Sequence, residues 1–190
     1  MRTRNKLLIV LVVLGVLIGA FLVYVAVQPT YVVIEREVVI AAPPEVVYAQ
    51  IEDLRHWDAW SPWAKLDPQM LQTFEGPQKG VGAIMKWSGD DKVGSGQMTI
   101  VKAEAPKSVV LELKFFKPWE GKAKSLFVIA ATDEKRTTSR VVWGMNAERG
   151  FVEKLVNVLM DIDGMIGADY EKGLAGLKAV AEKSPATPVP

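Results

Sequence analysis

The sequence contains no cysteine and a single histidine. The first absence excludes disulfides and thiolate metal sites, so cysteine usage says nothing about redox compartment. The second excludes a metal cluster built from several imidazoles, because His56 stands alone. Charge of one sign is also scarce: the formal net charge is +1, and with Arg2, Arg4 and Lys6 set aside the rest is nearly neutral. A nucleic-acid surface needs a clustered excess of Lys and Arg, so none is expected. No phosphate-binding loop is evident, since Gly94-Ser95-Gly96 lacks the strand-loop-helix context and reads as a turn. Asp161, Asp163 and Asp169 do not follow a calcium-loop spacing, because Gly164 is followed by Met165 and Ile166 where oxygen ligands are required. They suit solvated helix positions or a local cap. Neither a metal nor a cofactor is expected.

Residues Leu7 to Val27 form an apolar run without a charge. As a helix its 21 residues reach about 31 Å, which matches the hydrocarbon thickness of a bilayer. A cleaved signal has a shorter apolar region and a small-x-small cleavage site, whereas here Tyr24 and Val27 surround Ala26. The reading is an uncleaved single-pass anchor over residues 1–28. Cationic residues before it and the balanced Glu35-Arg36-Glu37 after it predict a cytoplasmic N-terminus and an extracytoplasmic domain, periplasmic in a bacterium. Gly15 and Gly19 form a Gly-x-x-x-Gly pair that offers a weak homodimer contact.

Residues 29–183 suit one domain by size, and residues 184–190, with three prolines, read as a disordered tail. Tyr31 to Ile40 reads as a strand ending at Ala41-Ala42-Pro43-Pro44. A short helix follows, with Pro44 at its first position, Glu45 at the positive end of its dipole, and Val47, Tyr48 and Ile51 on its apolar face. A second short helix is predicted over His56 to Trp63, where Trp57, Trp60 and Trp63 would turn to one side. From Met70 onward the apolar period becomes two. Strands are expected over Leu71 to Phe74, Ala83 to Trp87, Gln97 to Ala103, Ser108 to Phe116, Lys122 to Ala131 and Thr137 to Met145, with connections short enough to imply an antiparallel meander.

Gly150 to Lys183 is helical in period, with a stripe of Phe151, Leu155, Leu159, Ile162, Ile166, Tyr170, Leu174, Leu177 and Ala181. A straight helix of that length would reach roughly 50 Å, more than a domain of this size can span. A break is therefore predicted at Asp161 to Gly164, leaving Met165 to Glu182 against the sheet. Gly167, Gly173 and Gly176 on that segment would allow close packing at some turns and pocket space at others.

Three segments carry a resemblance: Ala42-Pro43-Pro44-Glu45-Val46-Val47-Tyr48, His56-Trp57-Asp58-Ala59-Trp60-Ser61-Pro62-Trp63, and Gly167-Ala168-Asp169-Tyr170-Glu171-Lys172-Gly173-Leu174. Together they resemble the polyketide cyclase/dehydrase branch of the START and Bet v 1-like (SRPBCC) superfamily over Val32 to Glu182. The resemblance implies an α+β helix-grip fold, a curved antiparallel sheet of about six or seven strands around the C-terminal helix, enclosing an apolar cavity. Members bind lipids, sterols, polyketides or other hydrophobic molecules, and some catalyse cyclisation or dehydration. The fold does not by itself assign the activity.

The expected cavity wall is Trp60, Trp63, Met85, Trp87, Met98, Leu111, Leu113, Phe115, Phe127, Trp143, Met145, Ile162, Ile166 and Tyr170, although each of these also serves as ordinary core. The leading expectation is a membrane-anchored binding module for a hydrophobic small molecule or lipid. A cyclase or dehydratase would draw on Tyr170, Asp169, Ser125 and then His56, while a tethered interaction module would expose an apolar patch around Trp57 or Trp119.

Overall fold

The computed structural model describes residues 2–118 and 120–184. It divides into two units, Met1–Val32 with Glu148–Ile162, and Val33–Ala147 with Asp163–Pro190. Trp119 and residues 185–190, which include most of the expected disordered tail, lie outside the described residues.

In the first unit, α1 (Arg2–Ala26) contains an apolar stretch over Asn5–Ala26, with mean hydropathy 3.1. From Asn5 to Ala26 every residue but Val25 is exposed, which is the reverse of a core helix. The helix is long and apolar enough to cross a membrane, and a signal sequence meets the same test. Beyond it the Thr30 carbonyl accepts the Arg149 N–H at 2.8 Å, and the Tyr31 hydroxyl donates to the Glu148 carboxylate. Helix α4 (Phe151–Met160) follows, and its Lys154 ammonium reaches the Ala26 carbonyl at 3.3 Å.

The second unit is built on a seven-stranded sheet: β1 (Tyr31–Ile40), β2 (Leu71–Glu75), β3 (Ile84–Ser88), β4 (Ser95–Glu104), β5 (Ser108–Lys117), β6 (Gly121–Ala131) and β7 (Ser139–Glu148). The spatial order is β1-β7-β6-β5-β4-β3-β2, and β2 through β7 form an antiparallel meander. Alternation is clear on β6, where Ala123, Ser125, Phe127 and Ile129 are buried and Lys122, Lys124, Leu126, Val128 and Ala130 are exposed. That period places one face of the sheet against a core.

Helix α5 (Ile162–Ala181) covers that face with Tyr170, Leu174, Leu177 and Ala181, the stripe anticipated from spacing. This is the helix-grip α+β fold. The helix break falls at Asp161, whose φ of 48° and ψ of 52° are left-handed and end α4. The break is shorter than anticipated, for α5 resumes at Ile162 and Gly164 lies inside it.

The segment between β1 and β2 also departs from expectation. Helix α2 (Pro44–Glu52) begins at Pro44, but the single helix expected over His56 to Trp63 is two pieces, a 3-10 turn at Leu54–Ala59 and α3 (Pro62–Leu66). Pro62 explains the division: it has no N–H to continue a helix, and it drives Ser61 into an extended conformation, with ψ of 132°. Asp53 starts the 3-10 turn by accepting the Arg55 N–H at 3.0 Å. The Trp57 and Trp60 indole N–H groups donate to the Ile51 and Gln50 carbonyls at 3.1 and 3.2 Å. Two tryptophans thus satisfy carbonyls in the last turn of α2 that have no partner within the helix.

Candidate functional site

The concave face between sheet and α5 has two layers that differ in how fully they are filled. In the closed layer, Trp143 stacks between two rings, with centroids 4.8 Å from Phe127 and 4.0 Å from Tyr170. Trp57 and Trp60 lie 4.6 Å apart and meet Phe127 and Trp143 edge-on, and Trp63 stands edge-on to Trp143 at 5.8 Å. The edge contacts match the quadrupoles of the rings. Trp60, Phe127, Trp143 and Tyr170 are fully buried, as is Leu111. Trp57 is buried too, so it does not centre an exposed apolar patch.

Close approach of α5 completes this layer. A Cβ on Gly173 would stand 2.5 Å from the Trp143 ring, and one on Gly176 would stand 2.6 Å from the Trp60 carbonyl oxygen. Gly167 is occupied in the same way by the Arg36 guanidinium, whose Nε pairs with Glu171 at 2.7 Å. All three glycines serve close packing, and Gly176 also borders an open cleft beside α5.

The open layer lies further along the same alternation. Met85 faces Met98, which faces Leu113, and Leu113 faces Ala123; one row on, Trp87 faces Gly96, Gly96 faces Phe115, and Phe115 faces Gly121. Met85 and Met98 are buried, but Trp87, Leu113, Phe115 and Met145 are only half-buried, as is Ile166 on α5. Gly96 is required here because a Cβ would strike the Trp87 ring and stand 2.6 Å from the Lys114 carbonyl. The indole lies over that glycine and meets Phe115 edge-on at 5.9 Å. Ile162, the remaining expected wall residue, belongs to the first unit.

The polar candidates separate. Trp143 Nε1 donates to Ser125 Oγ at 2.9 Å, and Ser125 donates to the Gly144 carbonyl at 3.2 Å. Tyr170 is also hydrogen-bonded to Ser125, yet burial pushes its phenol up to about 12, an effect the Ser125 bond only partly opposes. Tyr170 is therefore a neutral phenol at ordinary pH, suited to a hydrogen bond and not to service as an anion. Asp169 points elsewhere on α5 and pairs with Lys172 at 2.9 Å. His56 is exposed, with Nδ1 3.0 Å from the Ala49 carbonyl. Among the described residues the buried Asp and Ser side chains are Asp53, Ser61, Ser125 and Ser139, and Asp53 is engaged as a cap. No group of three or more acidic or histidine side chains that could hold a metal ion occurs among the described residues.

Sequence reasoning missed an open cleft of about 510 Å³ near the end of α5, lined by Ala59, Lys65, Gly176, Ala179, Val180, Lys183 and Ser184. It arises where three separate elements meet, so no periodicity marks it.

Residues 31–182 match the family model described as polyketide cyclase / dehydrase and lipid transport. The chain belongs to this family. The cyclase/dehydrase and lipid-transport match spans the whole sheet and α5, and excludes α1. No curated protein matches the sequence. Among solved structures, the Aha1 dimer from Colwellia psychrerythraea is 17% identical with a TM-score of 0.57, covering 80% of this chain and 97% of that one. Ara h 8.0201 is 12% identical with a TM-score of 0.57, over 81% and 99% of the two chains. A protein from Nitrosospira multiformis is 15% identical with a TM-score of 0.56, over 78% and 94%. At these identities the likeness establishes the shared fold.

Proposed function

We propose that this cyclase/dehydrase and lipid-transport family member is a membrane-tethered binding module that holds a hydrophobic small molecule or lipid against the open layer of its sheet. The observation that carries the reading is the set Trp87, Leu113, Phe115 and Met145. These side chains share the concave face with a fully buried core but are themselves only half-buried. Apolar surface aimed inward and left partly wet gains free energy when a ligand covers it. The Tyr170 and Ser125 hydroxyls lie deeper and serve one another and Trp143, so they support packing more directly than acid-base chemistry. Helix α1 supports the tether, with the N-terminus cytoplasmic and the domain extracytoplasmic by the placement of Arg2, Arg4 and Lys6.

The test is titration of delipidated full-length protein in nanodiscs with an apolar fluorophore, followed by competition with membrane lipids. Saturable binding that native lipid displaces, and that Phe115→Ala weakens, is the expected result. Linear, non-competed partitioning identical to empty nanodiscs would overturn it. Turnover of an aromatic polyketide-like substrate that disappears in Tyr170→Phe would instead favour a cyclase.

A further inference from the structure

The first unit contains a feature that ligand binding does not use. Helix α4 places Glu153, Lys154 and Asn157 on one arc, and gives the rest of its circumference to Phe151, Val152, Leu155, Val156, Val158, Leu159 and Met160. No residue of α4 is buried. Val152 and Leu159 are 65% and 68% exposed, and Phe151 and Met160 are 46% and 55% exposed. A helix of this composition normally turns its apolar side into a core, yet here the part of that side formed by Phe151, Val152, Leu159 and Met160 stays open, while Leu155, Val156 and Val158 are half-buried.

Its position says what covers it. Arg149, one residue before the Gly150 cap, bonds to Thr30, which lies four positions beyond the last residue of α1. Lys154 then reaches back to the Ala26 carbonyl, one of the carbonyls at the α1 C-terminus that have no partner within the helix. The polar arc of α4 is thereby tied to the end of the apolar helix. Val152 and Leu159 project roughly 150° around the helix from Lys154, at 100° per residue. Tyr24 and Tyr31, both exposed, flank the same end of α1, as aromatic residues do at a membrane-water interface.

We infer that α4 is an interfacial helix that lies in the surface of the bilayer crossed by α1, with Val152 and Leu159 among the acyl chains and Glu153 and Lys154 in the headgroup region. The occupant of its open face is lipid of the outer leaflet. This rests on the membrane-spanning part of the reading above and is independent of ligand binding. An amphipathic helix joined to the end of a span needs only weak affinity of its own for the membrane, because the span supplies the proximity.

The cysteine-free chain permits a direct test with single nitroxide labels on full-length protein in phosphatidylcholine/phosphatidylglycerol nanodiscs. Labels are placed by Val152→Cys, Leu159→Cys, Glu153→Cys and Leu14→Cys, with circular dichroism confirming the fold of each. The expected result is a several-fold higher ratio of oxygen to nickel-chelate collisions at 152 and 159 than at 153, with position 14 deeper still. A ratio at 152 and 159 equal to that at 153, while 14 remains deep, would overturn the inference and leave the span intact. Loss of both collisions at 152 and 159 would show that protein covers the face and would overturn it equally. A water-accessible label at 14 would remove the span and the interfacial helix together.

Discussion

The closed and open layers belong to one sheet, yet one end of the concave face is solid and the other is not. Around Trp143, large rings are matched by glycines: Gly173 and Gly176 let α5 approach until the indoles fill the space. Around Trp87 and Phe115 the pairing is made within the sheet, where Gly96 and Gly121 stand opposite the rings on β4 and β6. A glycine under a ring lets the ring lie flat over the sheet, and it adds no side chain to close the gap above. Rings plus helix glycines make a core, and rings plus strand glycines leave a partly wet wall.

The comparison breaks first at Trp143. Trp143→Ala removes the ring between Phe127 and Tyr170, and chemical denaturation should show a loss of about 3–5 kcal/mol. A much smaller loss would mean that the closed layer is loosely packed. Gly176→Ala comes next, because its new methyl meets the Trp60 backbone carbonyl and not a flexible side-chain tip. The expected destabilisation is about 1–3 kcal/mol, and an unchanged denaturation midpoint would show that α5 can shift outward.

The third effect appears only in alkali. The phenol of Tyr170 ionises at about 12 when folded, against 10.0 ordinarily. Its contribution to stability is complete below pH 10 and is lost as pH rises towards 12, since the unfolded chain releases its proton first. Stability measured from pH 8 to 11.5 should therefore fall less steeply in Tyr170→Phe than in the parent. Parallel curves would mean that Tyr170 is wetter than its burial indicates. The smallest stability effect is expected in the open layer. Phe115→Ala should cost about 1 kcal/mol or less, because the ring is only half-buried, while ligand affinity falls roughly tenfold, equivalent to about 1.4 kcal/mol. Stability lost without any change in affinity would reassign Phe115 to the core.

Much of the fold was legible before any coordinates. The period-two runs on β5, β6 and β7 and the stripe of Tyr170, Leu174, Leu177 and Ala181 correspond to the observed buried faces, because alternation and helical spacing are local consequences of backbone geometry. The need for a helix break was legible from length, and its place to within Asp161 to Gly164; that the left-handed Asp161 alone makes it, with Gly164 inside α5, was not, since a left-handed aspartate leaves no pattern as clear as a glycine. Pro62 marks the division of the tryptophan segment, whereas the three-residue spacing of Trp57, Trp60 and Trp63 favours one helix. Of the polar candidates, Tyr170 and Ser125 meet although 45 positions separate them, while Asp169, adjacent to Tyr170, turns towards Lys172. Adjacent residues on a helix point about 100° apart, so proximity in sequence is a poor guide to proximity in a site.

By itself the sequence determined the apolar N-terminal helix, the antiparallel α+β architecture and the face each strand and helix buries, for these follow from composition and period over a few residues. Tertiary structure alone decided which apolar positions become a solid stack and which remain half-open. That choice depends on how near α5 comes to each strand, and the distance is set jointly by Gly173, Gly176, Trp60 and Trp143. No one of these residues encodes it, because a void is a property of the surfaces around it and not of any segment of chain.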